Sequence, residues 1–264
     1  MRGIMVLPTT LLITALLALL FSAGCREVSR REVAQQITVS CAMSLKGAME
    51  EIRAQYPDKG VTVRFNYGAS GSLQHQIEQG APVDLFISAG QKQMDDLAKK
   101  GLIDHETRTN LLGNEIALVS FAGAAKIKDF KDLAEPEIKR IAIADPSTSP
   151  AGTYARETLT RLGLWKTLQP KIVLGKDVDQ VMHYVQQGNV EAGIIFVSDT
   201  VYGGKTISII KTGDGLHRRI LYPAAIISAG EHKKAARDFL GFLGGPEASK
   251  VFVRHGFIPQ PQAP

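Results

Sequence analysis

The sequence predicts an α/β protein of two lobes, each a sheet of parallel or mixed strands covered by helices. Three observations carry this. Short apolar runs of strand character alternate with helix-period segments along most of the chain, which argues for sheets flanked by helices. About thirteen such elements are too many for a single sheet. Four strand-to-helix junctions, at residues 40–52, 66–80, 144–159 and 175–188, bring small polar side chains and backbone donors to the start of a helix. A helix start offers unpaired N–H groups and the positive end of a dipole, a natural anion site.

The beginning of the chain stands apart from this pattern. Arg2 precedes an apolar run over 5–21 and then Ser22-Ala23-Gly24-Cys25, so residues 1–24 read as a secretory signal. The small-small-Cys ending resembles a bacterial lipobox, with Cys25 as the lipidation site, although Ser22 stands where leucine is usual. Cleavage near Gly24 without lipid, or a retained anchor, are the alternatives. Residues 25–36 form a charged spacer. If Cys25 carries lipid, Cys41 has no partner, and a buried inert thiol is expected there. The fold then rests on its hydrophobic core, which 44% apolar residues allow. No later segment is long enough to cross a bilayer. The net charge of +5 comes from scattered Lys and Arg with no interleaved aromatics, a solvated surface and not a nucleic-acid footprint.

The elements follow in order. A strand is expected over 37–42. A helix over 45–56 puts Leu45, Ala48, Met49, Ile52 and Tyr56 on one face. A strand over 61–67 leads to a helix over 72–79 stopped by Gly80. A short apolar strand over 83–88 precedes a helix over 91–100 with Gly101 just past its end. The alternation continues through 115–121, 141–144, 151–162, 172–174, 178–187 and 192–197. It ends with a strand over 224–228 and helices over 232–243 and 246–255. Apolar runs at 115–121 and 220–227 carry the chain between lobes. Lobe I is thus 37–114 plus 224–264, and lobe II is 115–223, with a cleft between them where ligands usually sit.

At the junctions, Ser44 occupies an N-cap position, and capping alone accounts for it. Ser70 lies in Gly-Ala-Ser-Gly-Ser, where Gly68 and Gly71 permit close approach or positive φ, or where the serines cap the next helix. Pro150 suits a first helical turn, which leaves the Ala151 amide as the next donor, with Gly152 keeping the approach clear. Asp177 is an N-cap that leaves the Val178 amide pointing outward. Phe196 ends an apolar strand and reads as core. Catalytic signatures fail. Gly203-Gly204-Lys205-Thr206 lacks the upstream glycine of a phosphate loop, since Asp199 stands there, and reads as a turn. Ser70 is not in a nucleophile elbow, because Ser72 takes the fifth position, and His75 falls on the outer side of its helix. His105, His183, His217, His232 and His255 show no ligand spacing. Asp84 is expected to bond backbone amides. Trp165 is expected to pack at a helix end. Asp95-Asp96 and Lys99-Lys100 are expected to form exposed i,i+4 pairs.

Taken together, certain motifs match a known family. They are Ala42-Met43-Ser44-Leu45; Gly68-Ala69-Ser70-Gly71-Ser72-Leu73; Gly80-Ala81-Pro82-Val83-Asp84-Leu85-Phe86-Ile87-Ser88-Ala89; Asn110-Leu111-Leu112-Gly113-Asn114; Pro150-Ala151-Gly152-Thr153-Tyr154-Ala155; and Gly193-Ile194-Ile195-Phe196-Val197-Ser198-Asp199. Over 35–258 the chain resembles the periplasmic molybdate-binding proteins of bacterial ABC importers. The resemblance implies a type II periplasmic-binding-protein fold with two crossover strands. It implies an exported, non-enzymatic monomer without cofactor that delivers molybdate or tungstate to a membrane permease driven by a separate ATPase; the lipobox-like ending adds a lipid anchor on Cys25, with a free periplasmic protein as the alternative.

The ligand shell carried over by that resemblance is Ser44, Ser70, Ala151, Val178 and Phe196, with no protein atom bonded to the metal centre. In the family the two serines give hydroxyl and amide donors, and the next two positions give amides. The last is commonly a tyrosine that donates its hydroxyl. Phe196 lacks that hydroxyl, so a bond worth about 1.5–3 kcal/mol is lost, or a water or neighbouring hydroxyl replaces it. None of the five positions is acidic. A shell of pure donors suits a dianion that only accepts hydrogen bonds, whereas phosphate often keeps a proton and wants a carboxylate. Sulfate, thiosulfate and phosphate remain alternative ligands. An exported hydrolase using Ser44 or Ser70, and the sensory lobe of a signalling protein, are the rival classes.

Overall fold

The computed structural model describes residues 35–121, 127–204, 207–211 and 215–261. The leader over 1–24, Cys25, most of the spacer, and Lys205 and Thr206 lie outside the described residues.

In the first third of the fold, β1 (Gln35–Ala42) runs through a 3-10 turn (Met43–Leu45) into α1 (Lys46–Gln55). β2 (Val61–Gly68), α2 (Ser70–Glu78), β3 (Leu85–Ile87) and α3 (Gln91–Lys99) follow. β4 (Thr109–Asn114) and β5 (Ile116–Phe121) are nearly continuous, broken only at Glu115. Next come β6 (Ile141–Ala144), α4 (Pro150–Arg161), α5 (Trp165–Leu168), β7 (Ile172–Gly175), α6 (Val178–Gln186) and β8 (Ala192–Phe196). The chain closes with β9 (Ile207–Lys211), β10 (Ile220–Ile226), α7 (Lys233–Leu243), α8 (Pro246–Arg254) and β11 (Ile258–Pro259).

These strands form two mixed sheets flanked by helices. The first has the order β11-β4-β10-β3-β1-β2 and the second the order β7-β6-β8-β5-β9. β1 lies parallel to β2 and β3, while β10 runs antiparallel to β3 and β4. In the second sheet β6 is parallel to β7 and β8, and β5 is antiparallel to β8 and β9. The chain changes sheets at Glu115, between β4 and β5, and again between β9 and β10.

Helices cover both faces of the first sheet, which is why its central strands are apolar throughout. Side chains alternate across the pleat. Leu85 and Ile87 enter the main core with Ile37, Val39, Met49 and Phe239, while Phe86 enters a second core with Leu73, Ile77, Met94 and Leu97 under α2 and α3. Cys41 is a free, fully buried thiol, and burial pushes its pKa well up. Gly80 and Gly101 take positive φ just past α2 and α3, the left-handed stop expected of glycine there.

Several expectations shift. β4 was not expected: Asn110, Gly113 and Asn114 are poor strand formers, and pairing with β10 on one side and β11 on the other overrides that preference. β10 starts at Ile220, before the strand expected at 224, because Pro223 interrupts the pattern yet sits at a bulge between Tyr222 and Pro223, where a central strand tolerates proline. Trp165 opens α5. Asp96 pairs with Lys92 and Lys99, and Lys100 reaches Glu78, so the expected i,i+4 pairs within Asp95-Asp96 and Lys99-Lys100 are not the ones formed. Asp84 does bond backbone amides: its carboxylate accepts from Thr38 N–H at 2.8 Å and His232 N–H at 3.0 Å. No helix among the described residues is long and apolar enough to cross a membrane.

Candidate functional site

Six strands of the two sheets point their carboxyl ends at one small space. Its walls include Ala42 ending β1, Gly68 ending β2, Ala89 after β3, Ser149 beyond β6, Asp177 after β7 and Phe196 ending β8. Ligands of open α/β sheets bind in this position. Three helices also start there: α2 at Ser70, α4 at Pro150 and α6 at Val178. The 3-10 turn carrying Ser44 completes the ring. The four strand-to-helix junctions singled out in the sequence thus meet around one point.

The space is tight. It measures about 210 Å³, of which the centre of a water-sized sphere can roam about 10 Å³, room for roughly one such particle. The walls touch beside the space, where Gly71 N–H, next to Ser70, donates to the carbonyl of Thr148, next to Ser149, at 2.8 Å. A side chain on Gly71 would put a Cβ 2.5 Å from that oxygen. Gly71 is therefore required for wall-to-wall approach, and neither it nor Gly68 takes positive φ. Gly152 likewise serves backbone packing: a Cβ there would lie 1.9 Å from the Ala144 carbonyl.

Each singled-out residue has a definite place. Ser44 does not cap a helix. It sits inside the 3-10 turn, Leu45 precedes α1, and no side chain caps that helix. The Ser44 hydroxyl is instead 2.9 Å from the Tyr222 hydroxyl. Ser70 is the first residue of α2 and does not cap it either; its Oγ accepts the Ala89 N–H at 3.0 Å. With that lone pair engaged, the Ser70 proton is left to donate elsewhere. Asp177 caps α6, accepting Gln180 N–H at 3.0 Å. Its carboxylate is thereby turned into its own helix, and the Val178 amide has no intrahelical partner. Pro150 begins α4 and lines the space, whereas Ala151, buried one residue behind it, does not. Phe196 lines it with its ring packed edge-on against Tyr154 and Tyr222, centroids 6.3 and 5.8 Å away.

The lining holds no lysine or arginine, and Asp177 is its sole acid. A second acid lies close by. Asp199 is buried and accepts the Phe196 N–H at 3.2 Å. Burial pushes its carboxyl pKa up to about 8, with Asp179 and Asp177 adding to the rise and the Phe196 amide opposing it. At neutral pH it is largely uncharged. Larger cavities exist, such as a cleft of about 1040 Å³ on the same measure as the 210 Å³ above, lined by Lys92, Lys99, Arg218, Arg219, Asp95 and Asp96. That cleft mixes both signs of charge and adjoins the small space, with Pro150 lining both.

The bacterial extracellular solute-binding protein family matches residues 37–258. The chain belongs to that family. This solute-binding protein is 40% identical over 94% of its length to YvgL of Bacillus subtilis (strain 168), which is named for an ABC transporter substrate-binding lipoprotein; 97% of that protein is covered. It is 38% identical over 84% of its length to the molybdate-binding protein ModA of Escherichia coli (strain K12), covering 88% of it. Its fold matches the periplasmic molybdate-binding protein of Azotobacter vinelandii with a TM-score of 0.78 at 26% identity, over 86% of this chain and all of that one. The two-sheet architecture is the periplasmic-binding-protein fold.

Sequence reasoning missed two polar residues beside the site. Asn114 ends β4 and Tyr222 lies on β10, both buried. Asn114 Nδ2 donates to the Tyr222 hydroxyl at 3.0 Å and to Ser198 Oγ at 2.9 Å. The available signal was Tyr222-Pro223, an aromatic beside a proline in an apolar strand, which marks a bulge that re-aims a side chain.

Proposed function

We propose that the protein captures molybdate or tungstate outside the cytoplasm and hands it to the permease of an ABC importer. The observation that carries this reading is a ring of uncharged donors, with three helix N-termini and two serine hydroxyls converging on one small space. A dianion that only accepts hydrogen bonds is satisfied by such a ring, since bonds to a charged acceptor are roughly twice as strong as neutral ones. Monohydrogen phosphate brings a donor, for which the only acid in the lining is Asp177, whose Oδ1 already accepts from Gln180 N–H. Ser44, Ser70 and Val178 contribute from the lining, Ala151 through its amide at the first turn of α4, and Phe196 supplies a ring where a hydroxyl is absent.

No bond is made or broken in this role. His75, the base nearest to Ser70 in sequence, is exposed and faces Glu78 at 4.0 Å. Binding favours the form in which Gly71 meets Thr148, because only then do donors from both sheets reach one ligand. The protein acts as a monomer, tethered through lipid on Cys25. A thermal-shift panel at fixed concentration tests the reading. Molybdate and tungstate should raise the melting temperature by several degrees, sulfate less and phosphate least. A panel in which phosphate or sulfate stabilises more than molybdate rejects it.

A further inference from the structure

The Ser44 hydroxyl has a partner that decides which way its proton points. Ser44 Oγ lies 2.9 Å from Tyr222 Oη, and Tyr222 Oη lies 3.0 Å from Asn114 Nδ2. The amide of Asn114 is itself fixed in orientation. Its Oδ1 accepts from Glu115 N–H at 2.9 Å and from Ser198 N–H at 3.4 Å, so the group facing Tyr222 is the NH2, which only donates. Tyr222 must accept there, and its one proton remains to be placed. Tyr222 is fully buried, and Ser44 Oγ is the one other hydrogen-bond partner recorded for its hydroxyl among the described residues. A buried hydroxyl proton left unbonded is costly, since it has lost its water without gaining a partner. The proton therefore goes to Ser44, Ser44 accepts it, and the Ser44 proton is left for the cavity.

We infer that Asn114 and Tyr222 are positioning residues that lock Ser44 as a hydrogen-bond donor toward the ligand, and so set the preference for a fully deprotonated oxyanion over one that keeps a proton. The relay is built into the crossover. Asn114 ends β4 where the chain leaves the first sheet, Ser198 follows β8 of the second, and the bulge beside Pro223 orients Tyr222. The inference rests on the oxyanion-binding reading of the same site.

The experiment is calorimetric titration of the mature protein with molybdate, sulfate and phosphate near pH 7.5, for wild type, Tyr222→Phe, Ser44→Ala and the double variant. Tyr222→Phe frees Ser44 to rotate and accept. Molybdate affinity should fall about tenfold, phosphate affinity should fall less or rise, and the molybdate-to-phosphate ratio should narrow. In the Ser44→Ala background, Tyr222→Phe should change molybdate affinity no further. Equal losses for molybdate and phosphate, or a further loss without Ser44, overturn the relay. If Tyr222→Phe does not fold, Asn114→Asp serves. Its carboxylate accepts from Tyr222 and reverses the relay, so molybdate affinity should fall in the Ser44 protein and fall less in Ser44→Ala; the same loss in both backgrounds, or none, overturns it. A wild type that binds sulfate and not molybdate rejects the molybdate reading alone, and the variants are then compared in sulfate. A wild type that binds none of the three anions rejects both.

Discussion

Ser44 and Ser70 face the same small space and are prepared for it in different ways. Ser70 Oγ takes a main-chain proton from Ala89, part of the loop after β3. Ser44 Oγ meets a side chain, Tyr222, which is held in turn by Asn114. Both arrangements occupy a serine lone pair from behind and leave a proton in front. One does so with backbone, which substitution cannot remove. The other does so with two side chains, which substitution can. The Ser70 wall is thus fixed by the fold, and the Ser44 wall is open to tuning.

The largest effect should come from Gly71→Ala, beside Ser70. It keeps every donor but places a methyl against the Thr148 carbonyl, so the walls cannot meet. Molybdate affinity should fall about a hundredfold or more, as expected when a binding-competent state becomes rare, with little change in ligand-free melting. Near-normal affinity would mean that wall contact is not needed for binding. Next come Ser70→Ala and Ser44→Ala, each removing one bond to a charged ligand and costing roughly 10- to 150-fold by calorimetry. Because the two serines share no upstream partner, the losses should add in the double variant. A double variant no weaker than either single one would show that the walls act as one unit.

The Ser44 side also holds Asp199, for which the Ser70 side has no counterpart. Its folded pKa of about 8 stands well above its ordinary carboxylate value. Between about pH 4 and 8 the folded protein keeps a proton that the unfolded chain releases, so stability falls as pH rises through that window, by an amount on the order of several kcal/mol. Above about pH 8 the new negative charge should also weaken dianion binding. Asp199→Asn, which still offers the Phe196 amide an acceptor, should flatten both dependences, read by melting temperature and by titration at pH 6 and 9. Parallel pH curves for the variant and wild type would remove Asp199 from this account. The smallest change is Phe196→Tyr. A hydroxyl added at the cavity wall should raise molybdate affinity a few-fold, while a clear drop would mean that Tyr154 and Tyr222 have closed around the phenyl ring.

The same contrast explains what could be read from the sequence. Alternating apolar runs gave the helices and the parallel strands within a residue or two, because buried sheets need continuous apolar stretches. Helix starts marked the four junctions, since Pro150 and Asp177 carry local signals that hold in the fold. The antiparallel strands were harder. Asn110, Gly113 and Asn114 disfavour β4, Pro223 interrupts β10, and both are held by neighbours distant in sequence. Ser44 looked like a cap because the residues around it describe a helix start. Its true partner is 178 residues away, and no local pattern announces such a pair. Gly71 and Gly152 suggest in the sequence a close approach to a ligand, or for Gly71 a positive φ; in the fold they clear room for carbonyls of the protein's own backbone.

The central claim is that neutral donors from two sheets suffice to hold a doubly charged oxyanion. Calorimetric titration of molybdate into the mature protein, beside the Ser44→Ala/Ser70→Ala double variant, addresses it most directly. The account predicts tight one-to-one binding by the wild type and its near-complete loss in the double variant, with sulfate and phosphate weaker throughout. Unchanged binding by the double variant, or binding that instead collapses on neutralising Arg218 and Arg219 in the outer cleft, would contradict it.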